Sequence, residues 1–215
     1  MNLKDKLIGE GKTRWLNVGC GDNFEDGFFY LDIFPQGVID PSYKDRYFRL
    51  DIVNAPEEIL SKLGRFDFVR MQHVLEHFSF EEGQVAIRNC ARLLKNKGIF
   101  LITTPDLGIH AKNYLRKKHR DLYEFKQWAV RRIPKEAPSS FYFSIFAHGI
   151  AYGGQHQWCY DYEGIKYQLE CSGEFGRIQE VKKNSPLASI PFTHNRPEED
   201  VCVIAIKSRR GLWGH

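Results

Sequence analysis

The chain has 215 residues, of which 42% are hydrophobic and 27% charged, a composition that excludes a disordered or fibrous protein. Its length fits one domain spanning residues 1–215. The 31 basic residues against 27 acidic ones give a formal charge of +4, too small to call for a nucleic-acid partner. The 5 cysteines are scattered, without a C-x-x-C pair, so neither a disulfide framework nor a zinc knuckle is expected. Residues 1–12 lack the apolar stretch of a signal peptide, and no apolar run approaches the ~18 residues of a spanning helix. A cytoplasmic location is the expectation.

From Thr13 to Asp106 short apolar runs alternate with helical patterns. Trp15–Val18, Phe28–Leu31, Tyr47–Leu50, Phe66–Val69 and Ile99–Thr103 are short and rich in aromatic or branched residues, as buried strands are. Asn54 and Glu57 predict a capped helix stopped at Gly64. Ser79 and Glu82 predict a second capping box. Its helix carries the apolar stripe Ala86, Cys90, Leu93 and Leu94 and ends near Gly98. A last helix follows Asp161, and Arg177–Val181 and Val201–Ile206 predict two closing strands. The fold class is therefore α/β, with a mostly parallel sheet and helices on both faces.

Residues 107–155 break this rhythm. They are basic (Lys112, Arg116, Lys117, Lys118) and aromatic (Tyr114, Trp128, Phe141, Tyr142), with Pro134 and Pro138 inside. A structureless loop of that length is uncommon, so a helical insertion before the last helix is expected. It would serve as a cap over an acceptor, a protein interface including a homodimer contact, or a peripheral membrane contact.

The first strand's exit carries the strongest signal. Gly19 and Gly21 let the backbone turn sharply and approach a ligand at the carboxyl edge of a parallel sheet. The dinucleotide fingerprint fails, because Phe24 takes the place of its last glycine and Asp32 comes early. Asp32 and Asp51 each close an aromatic strand, where a carboxylate can accept hydrogen bonds from ribose hydroxyls or an adenine amine.

Leu16-Asn17-Val18-Gly19-Cys20-Gly21 resembles motif I of the class I S-adenosylmethionine-dependent methyltransferases. Phe66–Val69 with His73–His77 resembles their fourth strand and the segment after it, and Leu94–Thr104 their fifth strand. The pattern is similar to the type 11-like group found in bacterial surface-polysaccharide clusters, where a short first helix is common. The resemblance implies a Rossmann-like seven-stranded sheet with its last strand antiparallel. S-adenosylmethionine would be the cofactor. Gly19, Cys20 and Gly21 would pass under its methionine part, Asp32 would bind the ribose, Asp51 and Ile52 would flank the adenine, and Met71 and Gln72 would line the site. The implied activity is methyl transfer to a small-molecule or carbohydrate-type acceptor, at oxygen.

His73, Glu76 and His77 also spell H-x-x-E-H, the motif of inverted zinc proteases, which would need both histidines on one helix face. A zinc hydrolase on that trio and a nicotinamide-dependent oxidoreductase are the alternative readings. The alternating α/β context speaks for the methyltransferase, and no metal is expected. His77 and His156 are the candidate catalytic bases, since neutral imidazole accepts a proton near pH 7.

Overall fold

The computed structural model describes residues 14–34, 40–118, 150–151, 154–182, 184–185, 196 and 198–208. The apolar runs form strands β1 (Trp15–Val18), β2 (Phe28–Asp32), β3 (Tyr47–Arg49), β4 (Phe66–Gln72), β5 (Leu94–Pro105), β8 (Phe175–Glu180) and β9 (Asp200–Lys207). Between β5 and β8 stand the short β6 (Ile150–Ala151) and β7 (Gly154–Gln155), which pair with each other. The seven longer strands make one sheet in the order β3-β2-β1-β4-β5-β9-β8. Strands β1 to β5 are parallel, and β9 runs antiparallel to both its neighbours. The strand order reverses between β1 and β4, which opens a crevice beyond the carboxyl ends of those strands.

Strand side chains alternate between two apolar layers. Leu16, Val18, Val69, Met71, Phe100 and Ile102 enter one core cluster, whereas Phe28, Tyr30, Phe68, Ile99 and Leu101 enter the other. Helices α1 (Glu57–Leu63), α2 (Phe80–Leu93) and α4 (Tyr162–Cys171) bring Leu60, Ile87 and Leu169 to the first cluster. Helix α3 (Leu107–Leu115) follows β5 directly, capped by the Asp106 carboxylate on the Ile109 N–H. The expected insertion thus begins with a helix, while 119–149 lie outside the described residues. Among the described residues no helix is long and apolar enough to cross a membrane.

Three local expectations are corrected. Asn54 is not the N-cap of α1: Pro56 holds that place, and the Asn54 amide donates to the Asp51 carboxylate instead, at 2.7 Å. Helix α2 ends at Leu93 rather than near Gly98. Buried Lys207 donates to the carbonyls of Ala91 and Leu94 there, satisfying acceptors that the helix end leaves open. The β4–β5 register then jumps from Phe66–Leu94 to Phe68–Ile99, so residues 95–98 bulge outward. Finally, residues 19–27 join β1 to β2 through turns, with no short first helix.

That crossover is fastened by side chains. Asn17 donates to the Asn23 carbonyl, and the Tyr30 hydroxyl bonds both the Glu25 carbonyl and its N–H. Phe24, which replaces a fingerprint glycine, stacks on Tyr43 and meets the edge of Tyr30. Fully buried Arg70 lies over the Phe28 ring and forms two hydrogen bonds to the Glu25 carboxylate, at 2.9 and 3.2 Å. Glu25→Ala would leave that guanidinium buried without its carboxylate, a loss of about 3 kcal/mol. Urea denaturation is expected to show this cost, and Arg70→Met in the same chain to recover most of it. A cost below about 0.5 kcal/mol would mean the pair does not hold the crossover.

Candidate active site

The glycine loop is built by two left-handed residues, Gly19 (φ 66°) and Gly21 (φ 53°). The Gly19 N–H donates to Leu31 O at 2.7 Å, binding the loop to β2. A Cβ on Gly19 would stand 2.3 Å from Cγ2 of Val74, so the loop presses directly on the segment after β4. A Cβ on Gly21 would meet nothing within 4 Å. Cys20 between them is buried, and burial, with the Asp32 charge next, pushes its thiol up to about 12, which keeps it a neutral packing group.

Asp32 sits at the carboxyl end of β2, almost fully buried. One oxygen accepts the Gly21 N–H at 2.8 Å, and the other accepts the Ile33 N–H at 2.7 Å. A carboxylate has about four lone-pair sites, so capacity for further donors is left. Asp51 follows β3 and caps its own turn through the Val53 N–H, at 2.8 Å. Ile52 beside it is buried, its carbonyl held by the Asn89 amide of α2 at 2.7 Å. Met71 is wholly buried in the first core cluster. Gln72 follows on the opposite face, with a buried Nε2 that has no hydrogen-bond partner among the described residues. Loop, Asp32, the Asp51–Ile52 turn and Gln72 thus stand at the carboxyl ends of β1 to β4.

The H-x-x-E-H residues do not share a helix face. His73 has φ 53°, outside any helix, and only Leu75–His77 form a 3-10 turn. The His73 ring is clamped between two carboxylates, with Nε2 2.9 Å from Asp200 and Nδ1 3.4 Å from Glu76. Burial pulls its pKa down, but the Asp200 charge and hydrogen bond, with the Glu76 carboxylate nearby, hold it up at about 10. Glu76 is held below the usual carboxylate range: burial raises it, and His73 first, then the charges of His156 and His77, outweigh that. His77 instead faces His156, ring centroids 4.8 Å apart and tilted by 75°. The chain around His156 is pinned there, since Gln157 N–H donates to Glu76 O at 2.7 Å and Gln157 Nε2 to His77 O at 2.9 Å. Buried His110 of α3 joins this group, its pKa pulled down to about 4 by burial and then by the charges of His156 and His73. The sequence pattern missed Asp200, which stands 127 residues from His73 and has no local signal.

A parallel sheet that reverses at β1/β4 and closes with an antiparallel β9, carrying a glycine loop and a strand-end acid, defines the Rossmann-like methyltransferase class. The family model described as "Methyltransferase domain" matches residues 3–146. The chain belongs to that family of methyltransferase domains. No curated protein matches the chain. Among solved structures, a methyltransferase from Clostridium acetobutylicum ATCC 824, described as S-adenosylmethionine-dependent, is similar at TM-score 0.52 and 11% identity, over 97% of this chain and 93% of that one. The N-methyltransferase NodS from Bradyrhizobium japonicum WM9, in complex with S-adenosyl-L-homocysteine, is similar at TM-score 0.51 and 12% identity, over 96% and 84%. An O-methyltransferase family protein from Burkholderia thailandensis is similar at TM-score 0.50 and 14% identity; this chain spans 52% of its length. These likenesses show the fold. They give no support to the zinc-hydrolase or nicotinamide alternatives.

The contact between Gly19 and Val74 has a measurable consequence. Gly19→Ala adds left-handed strain and a clash, about 3 kcal/mol together, while Gly21→Ala adds only the strain, about 1 kcal/mol. Val74→Ala in the Gly19→Ala chain should recover the clash portion. Equal costs at the two glycines in chemical denaturation would contradict this packing.

Proposed function

We propose that this chain transfers a methyl group from S-adenosylmethionine to an oxygen of a small-molecule or carbohydrate-type acceptor, within the type 11-like group. One observation carries the reading: the glycine loop is fastened to Asp32 at the sheet's switch point and packed on Val74, three residues before His77 in the His77–His156 pair. The residues present suit the cofactor. Among the described residues the space beside Gly21 is open, Asp32 has acceptor capacity left, and Gln72 has a buried donor without a hydrogen-bond partner.

Bound S-adenosylmethionine supplies an electrophilic methyl on a sulfonium, displaced in line. Gly19, Cys20 and Gly21 hold its methionine part through backbone groups. Asp32 accepts the ribose hydroxyls, the Asp51–Ile52 turn flanks the adenine, and Met71 and Gln72 border the site from β4. His77 and His156 receive the acceptor, and a neutral imidazole of that pair takes its hydroxyl proton. Residues 119–149 of the insertion lie outside the described residues; the basic and aromatic composition of 107–155 supports its reading as the acceptor-binding segment or as the contact with a membrane surface or a second copy. A surface-polysaccharide sugar, made in the cytoplasm, is the acceptor class that suits the aromatic and cationic composition of that segment.

Calorimetry should show S-adenosylhomocysteine binding in the micromolar range, about −7 to −8 kcal/mol, weakened by roughly 1–3 kcal/mol in Asp32→Ala. No binding to the wild type, with tight binding of a nicotinamide dinucleotide, would sink the reading. With a labelled methyl donor, His156→Ala is expected to lower turnover by roughly 10²–10⁴-fold at unchanged cofactor affinity. Unchanged turnover would remove His156 from the reaction.

A further inference from the structure

Glu76, His77 and His156 each offer a ligand atom, and those atoms all lie within 4.8 Å of one another. Glu76 is 1% exposed, and both its carboxylate oxygens are buried without a hydrogen bond among the described residues. Its ion-pair contact is His73, at 3.4 Å on Oε1, and His73 already serves Asp200 at 2.9 Å. Burying a carboxylate without hydrogen bonds is costly, and an arrangement that keeps one has a use for it.

We infer that Glu76, His77 and His156 bind a divalent cation of the first transition row on the acceptor side of the site. The trio differs from the H-x-x-E-H set of the sequence: His73 is committed to Asp200, and His156 takes its place from a distant segment. Two imidazoles and one carboxylate suit zinc or manganese better than magnesium, and three protein ligands leave positions open. Tetrahedral zinc needs ligand atoms about 3.4 Å apart, and the three here already lie within 4.8 Å of one another. The backbone is already arranged for it. Gln157 and Trp158 N–H groups both donate to Glu76 O, at 2.7 and 3.3 Å, which fixes the His156 segment on the Glu76 turn.

The role of the cation rests on the methyltransferase reading proposed for this site. An acceptor oxygen on an open position would be held in place and its pKa lowered. With the cation bound, the acceptor proton leaves to bulk water and the two imidazoles act as ligands; the base role proposed for that pair then belongs to the metal-free site.

The test uses the untagged full chain, stripped with EDTA and titrated with Zn²⁺ and Mg²⁺ by calorimetry, with S-adenosylhomocysteine titrated separately. One equivalent of Zn²⁺ is expected at micromolar affinity or better, with Mg²⁺ about 100-fold weaker. Glu76→Gln and His156→Ala should each weaken Zn²⁺ by about 30-fold or more, while the cofactor product binds within about threefold of wild type, which also shows that the variants are folded. No stoichiometric Zn²⁺ in the wild type, or Zn²⁺ binding unchanged in the folded His156→Ala chain, overturns the cation site. Zn²⁺ bound as expected by a wild type that does not bind S-adenosylhomocysteine would uphold the site and overturn the methyltransferase reading instead.

Discussion

The hydrogen bond from the Gly21 N–H to the Asp32 carboxylate, at 2.8 Å, is the contact on which the rest of the site depends. It joins the exit of β1 to the exit of β2 and holds the loop between them in a left-handed turn that only glycine adopts cheaply. In longer α/β crossovers a helix fixes the first strand's exit. Here residues 19–27 do the same work with side chains: Phe24 on Tyr43, Tyr30 on Glu25, and Arg70 from beneath. The early position of Asp32 follows from that short crossover, and the acid still arrives at the glycine loop.

The glycine loop in turn positions the segment between β4 and α2. Gly19 rests against Val74, so the chain between His73 and His77 starts from a surface fixed by the loop. His73 turns away from helical geometry and is locked by Asp200 at the start of β9, which ties the antiparallel strand to the site. His77 is thereby left to face His156. Strands β1 and β9 thus both reach one short turn, whose Glu76 is buried.

Much of the sheet was legible because buried parallel strands are continuous apolar runs bounded by glycine or acid. Ser79 and Glu82 form their capping box as their spacing implies, bonding at 2.8 and 3.2 Å. The expectations that failed were decided by partners far along the chain or by a local side chain diverted elsewhere. The end of α2 depends on Lys207, and the Asn54 amide is taken up by Asp51. The H-x-x-E-H spelling suggests a helix face, but the left-handed His73 and its distant Asp200 partner break it. Of the candidate site, Gly19, Gly21 and Asp32 were legible because backbone geometry demands their residue types. The pairing of His77 with His156 is set by hydrogen bonds between neighbouring backbone groups, which sequence spacing does not carry.

We propose that one crevice at the β1/β4 reversal holds the cofactor with its reactive end toward the paired histidines. A crystal structure with S-adenosylhomocysteine soaked in tests it most directly. The expected result is both ribose hydroxyls on the Asp32 carboxylate and the sulfur turned toward His77 and His156. A nucleoside bound elsewhere, or a sulfur facing away from that pair, would contradict it.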